Sequence, residues 1–335
     1  MTQTSSIQNF LQQTGSGFQV FDLGRRIQPV PENIFTDFET GKIPWPWPLQ
    51  QQAWLGMMLQ QQNNDELVIW FVRLPLDNRG YLDSKIRHDF LQRLQTTESQ
   101  DNKTGNPYGF KPKPEQMAVF HARAAAQFNQ PPSRFYTHAR DYFAGISGYD
   151  QWAFVGFQGI ADMAARLQQD NNEQLLASAL PNLPAQPFEA LCQCLEHEQI
   201  GDTLATALMQ KLEQLLAQNE TDASLISYCL RALSGSNQLQ QAVQTVLAHR
   251  SATHADVLAA IAGRGWIALS DEKQMLVYLE NLAQCVQGQD FFTAVIADLV
   301  NIPGMQQPIH QSMRNPQRSA ALARAIGGMF KQFSS

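Results

Sequence analysis

The chain has 335 residues, of which 24 are basic and 30 are acidic, giving a formal net charge of −6. This length predicts two domains with enough apolar residues for a substantial core. No apolar run is long enough to cross a bilayer, and residues 1–13 are polar instead of basic and then apolar. We therefore expect no membrane span and no secretory leader, and we predict a cytoplasmic protein.

The strand signals lie in the first hundred residues. Residues 18–23 alternate apolar and polar side chains after a glycine-containing turn, as a half-buried strand does. Residues 53–59 and 67–74 flank the polar turn at residues 63–65, and the second segment is rich in β-branched and aromatic residues. Together these segments predict a three-stranded sheet that contains an antiparallel hairpin.

Two amphipathic segments next to these strands predict helices that cover the sheet. One spans residues 5–13, and the other follows Asp83, which is placed to cap it. Residues 1–100 are therefore predicted to form a small α+β domain with an antiparallel sheet.

Alternating prolines around Trp45 and Trp47 forbid helix and hold the backbone extended. Two interpretations follow for these indoles. They form an aromatic binding wall, because rigid aromatics lose little entropy on binding, or they close over the sheet as part of the core. Burial is favoured for side chains of this size.

Residues 100–114 contain several glycines and prolines and predict an exposed loop. Lys103, Lys111 and Lys113 alternate with aromatic residues there, a pattern that also occurs in nucleic-acid binding segments. A solvated charged loop is the favoured interpretation. We assign residues 101–168 to this loop and to linking helices.

The polar residues best placed for chemistry are His138, Asp141 and Ser147. His138 and Asp141 lie one helical turn apart, so the carboxylate could orient the imidazole, and Ser147 follows on a glycine-flanked turn. This would be a hydrolase-like catalytic set. However, Ser147 lies outside any G-x-S-x-G motif, and such residues on helices usually form hydrogen-bond networks between helices. The second interpretation is favoured.

Binding of an anionic group is a separate hypothesis for the same region. His121, Arg123, Arg134 and Arg140 lie on two consecutive predicted helices. Arginine side chains match carboxylate and phosphate groups through paired hydrogen bonds. These four residues, with Trp45 and Trp47, are the candidate binding residues of the chain.

Residues 150–167 are strongly apolar and predict one helix that joins the two halves of the chain. Gly156 and Gly159 lie inside this helix. Because glycine destabilises a helix interior, we expect these positions to admit the close approach of a neighbour.

From Leu191 onwards, a helix-turn-helix pattern recurs three times at a period of about thirty-five residues. Each helix has one apolar stripe, so the pairs must stack to bury it, as in HEAT-like arrays. An ordinary bundle with similar hairpins is the alternative. We predict an all-α helical-repeat domain over residues 169–335 and an α+β protein overall.

Charge is distributed unevenly along the chain. Residues 151–300 contain six basic and sixteen acidic side chains, whereas residues 301–335 contain four basic and none acidic. An acidic surface repels phosphate backbones, so we expect a partner protein with a basic surface and no nucleic acid. The basic final helix is predicted to close the helical array, in preference to lying on a membrane.

Metal and cofactor motifs are weak. Cys192 and Cys194 point to different sides of one helix, and no matching pair occurs elsewhere in the sequence. Glu196, His197 and Glu198 are consecutive, so one helix face cannot gather all three. No phosphate-binding glycine loop follows a strand. We therefore predict no metal and no cofactor.

Three segments resemble an uncharacterised family of gammaproteobacterial proteins of unknown function. They are residues 44–50 (PWPWPLQ), residues 67–77 (LVIWFVRLPLD), and residues 106–114 (NPYGFKPKP) with MAVFH at 117–121. The resemblance extends over the whole chain. It implies a bacterial cytosolic protein, and it provides no catalytic residues to transfer.

The sequence favours a binding protein over an enzyme, since it combines repeated hairpins with an acidic surface and contains no strong catalytic motif. We predict an adaptor or scaffold that binds a protein or peptide through the helical-repeat surface. The alternative is a hydrolase-like enzyme that acts on an anionic substrate at the junction between the two domains.

Overall fold

The computed structural model describes residues 6–61, 67–97, 106–220 and 222–334. The chain forms two compact units. The first unit comprises Met1–Lys113 with Asn301–Pro303, and the helical unit comprises Pro114–Val300 with Gly304–Ser335. The division after Lys113 falls inside the segment that the sequence assigned to linking elements.

The first unit contains a four-stranded antiparallel sheet with strand order β2-β1-β3-β4. This sheet and the many helices after it confirm the predicted α+β class. In chain order, the elements are α1 (Ile7–Thr14), β1 (Gly15–Asp22), β2 (Gln28–Pro29), α2 (Glu32–Glu39), β3 (Gln52–Gln61), β4 (Leu67–Pro75) and α3 (Ser84–Thr97).

The sheet has the predicted hairpin at its edge. β3 and β4 pair from Gln52 opposite Pro75 to Gln60 opposite Leu67, while the turn predicted at residues 63–65 lies outside the described residues. The sequence predicted three strands, because the two-residue β2 is too short to show alternation. Asp83 accepts a hydrogen bond from the Lys85 backbone amide at 2.7 Å and so caps α3, as expected.

One face of the sheet carries the core of the first unit. Alternate residues of β1, β3 and β4 are buried in a cluster with side chains from α1, α2 and α3. The strand residues on this face are Val20, Ala53, Leu55, Met57, Leu59, Val72 and Leu74. The predicted cover by flanking helices is therefore present.

Trp45 lies inside this core. It is fully buried, and its ring centroid is 4.8 Å from that of Phe38. Trp47 is partly buried and packs edge-on against Trp45 at 5.4 Å. Trp45 therefore has no accessible surface for a ligand. The prediction that Trp45 is a binding residue is wrong. An indole of this size is most stable where apolar neighbours surround it.

The helical unit consists of helices joined by short turns. They are α4 (Pro114–Gln127), α5 (Tyr136–Phe143), α6 (Phe157–Ala164), α7 (Asn172–Ala179), α8 (Ala185–Leu195), α9 (Asp202–Leu216), α10 (Ala223–Leu233), α11 (Leu239–Leu247), α12 (Ala255–Arg264), α13 (Glu272–Ala283), α14 (Gly288–Val300), α15 (Gln306–Arg314) and α16 (Ala320–Ser334). Short 3-10 helices occur at Tyr149–Phe154, Leu180–Asn182, Arg250–Thr253 and Trp266–Ser270.

Alternate helices of this unit pack side by side. One layer contains, in order, α6, α8, α10 and α12. A second layer contains, in order, α7, α9, α11 and α13. α10 also packs on α9 and α11, so the layers share buried apolar stripes. The final helix α16 packs on α13, α14 and α15, where the Glu280 carboxylate accepts a 2.7 Å hydrogen bond from the Ser319 amide.

The prediction of a single helix over residues 150–167 is wrong. A 3-10 helix ends at Phe154, the backbone is extended at Val155 and Gly156, and α6 begins at Phe157. Trp152 is exposed. Apolar periodicity alone did not reveal this break, because it does not report backbone dihedral angles.

Candidate functional site

A buried ionic cluster joins the ends of three neighbouring helices. Glu196 follows α8 directly and its side chain is only 3% exposed. Its carboxylate accepts hydrogen bonds from Arg231 Nε near the end of α10 and from Arg264 Nη2, at 2.8 Å, at the end of α12. We call Glu196, His197, Arg231 and Arg264 the Glu196 cluster.

Ion pairing determines the charge state of this carboxylate. Burial alone would raise the pKa of Glu196, but its ionic neighbours, first of all Arg264, lower the pKa to about 2. Burial lowers the pKa of His197 to about 3, although its Nε2 lies 3.5 Å from Glu196 Oε1. At neutral pH the cluster therefore holds a charged carboxylate and an uncharged imidazole.

Arg123 on α4 extends these contacts to another helix. It donates a hydrogen bond to the His197 carbonyl and forms an ion pair of 2.5 Å with Glu198 Oε2. Cations near a helix C-terminus interact favourably with the helix dipole. The acidic and basic groups of the Glu196 cluster thus connect α8 with α10 and α12, and Arg123 connects α8 with α4.

A polar groove of about 610 Å³ runs between α9 and α11. Side chains at helical spacing on α9 form one wall, and the start of α11 forms the other. The lining residues are Asp202, Thr206, Met209, Gln210, Glu213, Asn237, Gln238 and Gln241. Its size lies within the range of ordinary ligand pockets.

Hydrogen bonds across the groove connect its two walls at one end. Asn237 Nδ2 donates to Asp202 Oδ1 at 2.8 Å, and Gln238 Nε2 donates to Thr206 Oγ1 at 3.1 Å. Gln210 and Gln241 form no side-chain hydrogen bond to any residue that the structure describes, and both are exposed. The rest of the groove thus presents free amide donors and acceptors.

Ion pairs within residues 151–300, which form part of the helical unit, engage several of the charged side chains of this segment. Arg166 pairs with the buried Asp162, while Arg231 and Arg264 share Glu196. Three of the six basic side chains of residues 151–300 are thus paired with two of the sixteen acidic ones. The remainder of this segment has three basic and fourteen acidic residues.

The comparison with known proteins gives a family. The family described as protein of unknown function (DUF3549) matches residues 2–330, which is nearly the whole chain. The chain belongs to the DUF3549 family. No curated protein and no solved structure matches it. The predicted membership of a family of unknown function over nearly the whole chain is therefore confirmed, and the family itself assigns no activity.

Among the described residues of this DUF3549 protein, no helix has the length and hydropathy needed to cross a membrane.

In the same parts of the chain, no three histidine, cysteine or acidic side chains are grouped so as to hold a metal ion. The four cysteines are buried free thiols, as apolar helix stripes predict.

The residues of the predicted hydrolase set are exposed and separate. His138 and Asp141 lie on α5, and Ser147 lies in the turn after it. Among the hydrogen bonds of the described residues, none joins any two of these three. The structure therefore does not assemble the nucleophile, base and orienting acid that acyl transfer requires.

The candidate arginines contact different groups. Arg140 donates to the Asp170 carbonyl and to Asn172 Oδ1, at 2.8 and 2.6 Å, which ties α5 to the start of α7. Arg134 lies over the Phe135 ring at 4.9 Å. Arg123 contacts the end of α8 instead, so these contacts provide no common anion site.

The remaining basic candidates are on the surface. His121 is exposed on α4 and packs beside Phe120. Lys111 and Lys113 are exposed, and Lys103 lies outside the described residues.

Sequence reasoning missed the Glu196 cluster and the groove. Glu196 lies 35 residues before Arg231 and 68 before Arg264, so these residues occupy equivalent ends of the alternate helices α8, α10 and α12. The repeat period could therefore have revealed the cluster. The groove has no signal in the sequence, since only the packing of α9 beside α11 creates it.

Proposed function

We propose that this protein is an adaptor that binds another protein through the second layer of its helical unit. The groove between α9 and α11 is the observation that carries this proposal. Concave surfaces between stacked helices are typical sites for partner segments. The sequence prediction of a bacterial cytoplasmic protein belongs to the same proposal.

The helix pairs α8/α9, α10/α11 and α12/α13 are, in this proposal, three copies of a HEAT-like hairpin. Their alternation between two layers supports this reading, as does the equivalent placement of Glu196, Arg231 and Arg264. Stacked hairpins expose a long surface built from equivalent helices, which suits binding to an extended partner.

Photocrosslinking in cells followed by reconstitution tests the proposal. A photoreactive residue is introduced at Gln241 in the groove wall and, as a control, at His138 on α5. We expect a protein crosslinked from position 241 that, once identified and purified, forms a stoichiometric complex with the full chain. The proposal is wrong if no crosslinked protein reconstitutes a complex, or if the purified chain instead carries nucleic acid or a small metabolite at moderate salt.

A further inference from the structure

We infer that the groove between α9 and α11 binds an extended segment of the partner that is rich in lysine or arginine. This inference rests on the proposed function and specifies the chemistry of its site. Three properties of the groove carry it: the charge of its walls, its free amide groups and its length.

The charge of the lining is negative. Asp202 and Glu213 lie near the two ends of the α9 wall, and the described residues that line the groove include no lysine or arginine. The basic residue of α9, Lys211, lies over the Phe188 ring at 5.6 Å and is not part of the lining. The groove also belongs to the segment with a large excess of acidic residues, so its potential attracts cations and repels phosphate backbones.

The free amides match a peptide backbone. Gln210 on α9 and Gln241 on α11 each offer donors and an acceptor. An extended segment has unpaired backbone amide and carbonyl groups that can pair with them. Met209 is almost fully buried in the groove lining, where it can contact the aliphatic part of a lysine or arginine side chain.

The length of the groove suits a short extended segment. The α9 wall runs from Asp202 to Glu213, which corresponds to about 17 Å of helix. An extended chain covers this distance in about five residues. A partner with basic residues at alternate positions can therefore place one near each acidic end of the groove.

Fluorescence anisotropy tests this inference on the full-length chain. The probe is a labelled eight-residue peptide in which lysine or arginine alternates with serine, and the matched peptide has glutamate at the basic positions. We expect saturable binding of the basic peptide only. The inference is wrong if the two peptides bind equally or if neither peptide binds.

A pair of charge variants locates the binding. Asp202→Asn with Glu213→Gln removes two charges from the groove, and Asp256→Asn with Glu272→Gln removes two exposed charges from α12 and α13. We expect the groove variant to raise the Kd by about threefold to tenfold and the control to change it by less than about twofold. Equal effects of both variants would show nonspecific attraction and overturn the inference.

The same variants separate the inference from the proposed function. If a reconstituted partner protein binds both variants as tightly as the unmodified chain, the adaptor function stands and the basic-segment inference is wrong. If the basic peptide binds in the groove but no protein partner reconstitutes, the preference of the groove for basic segments stands, whereas the adaptor function is wrong. Circular dichroism and urea denaturation verify that each variant is folded.

Discussion

At the residue scale, the Glu196 cluster shows how one carboxylate organises several helices. The sequence places Glu196 between a helix end and a turn, and suggests only a poor metal ligand. In the structure its burial is tolerated because two arginines approach from neighbouring helices. An ion pair makes only a modest net contribution to the free energy of unfolding. Removing one of its groups costs more than that contribution, because the partners then remain partly buried and unpaired.

The variant Glu196→Gln is therefore expected to lower the free energy of unfolding by about 3 kcal/mol, because Arg231 and Arg264 lose their shared counter-charge. Urea denaturation at neutral pH measures this change. The matched control is Glu189→Gln on α8, where burial and the nearby Asp222 raise the pKa of the carboxyl. Removing that charge should be neutral or slightly stabilising, so equal losses in the two variants would contradict the role given to Glu196.

Acid should destabilise the protein through the same cluster. The pKa of His197 is about 3 in the folded state and near 6.5 when unfolded, and the pKa of Glu196 is about 2 against an ordinary 4.5. The unfolded chain therefore binds more protons at these sites below pH 6.5, so the folded state loses stability as the pH falls from there towards 2. Each site contributes a slope of at most about 1.4 kcal/mol per pH unit.

Denaturation of unmodified protein and of His197→Gln between about pH 7 and about pH 5 isolates the histidine contribution. Glutamine does not titrate, so the variant should lose less stability over this interval than the unmodified chain, whatever its stability at neutral pH. Parallel curves for the two proteins would show that His197 titrates alike in the folded and unfolded states.

At the element scale, local patterns were informative where one side of a helix or strand is buried. The β3–β4 hairpin, α9 and α11 occupy the segments with clear periodicity. α7 and α14 were not predicted individually, and the break before α6 was missed. These features depend on backbone dihedral angles and on packing partners that are distant in sequence, which hydrophobic periodicity does not encode.

Gly159 admits the close approach of a neighbouring helix, as its position inside a predicted helix suggested. A Cβ atom there would lie 2.5 Å from the Phe135 carbonyl oxygen and 3.0 Å from Ala139 Cβ. We expect Gly159→Ala to lower the free energy of unfolding by about 1–3 kcal/mol, since α5 and α6 must separate. Urea denaturation measures the effect.

Gly263 in α12 provides the matched control, because a Cβ atom there would meet no heavy atom within 4 Å. Gly263→Ala should raise stability by up to about 1 kcal/mol through helix propensity alone. A gain of stability in both alanine variants would mean that α5 and α6 do not need the close approach at Gly159.

At the scale of the whole molecule, charge is divided between buried pairs and an acidic surface. Arg166, Arg231 and Arg264 are engaged with carboxylates, so they offset little of the exposed negative charge of the helical unit. Buried pairs are screened weakly by salt, whereas exposed charges are screened strongly. Salt therefore separates the two contributions to stability.

Raising the salt concentration from about 10 mM to about 100 mM should stabilise the protein by less than about 1 kcal/mol, because it shortens the Debye length from about 30 to about 10 Å and weakens repulsion. Thermal unfolding at several salt concentrations measures the trend. Asp256→Asn with Glu272→Gln should reduce the gain. If salt destabilises the unmodified chain instead, surface attractions outweigh the repulsion inferred from composition.

The sequence by itself determined the α+β class, the main strands, the helical second half and its acidic character, because these follow from periodicity and composition along the chain. Only the tertiary structure decided that Trp45 is fully buried, that His138 and Ser147 are exposed, and that Arg231 and Arg264 meet at Glu196. The groove between α9 and α11 likewise exists only once the helices pack. Contacts between residues that are distant in sequence depend on how elements stack, and no local pattern specifies that arrangement.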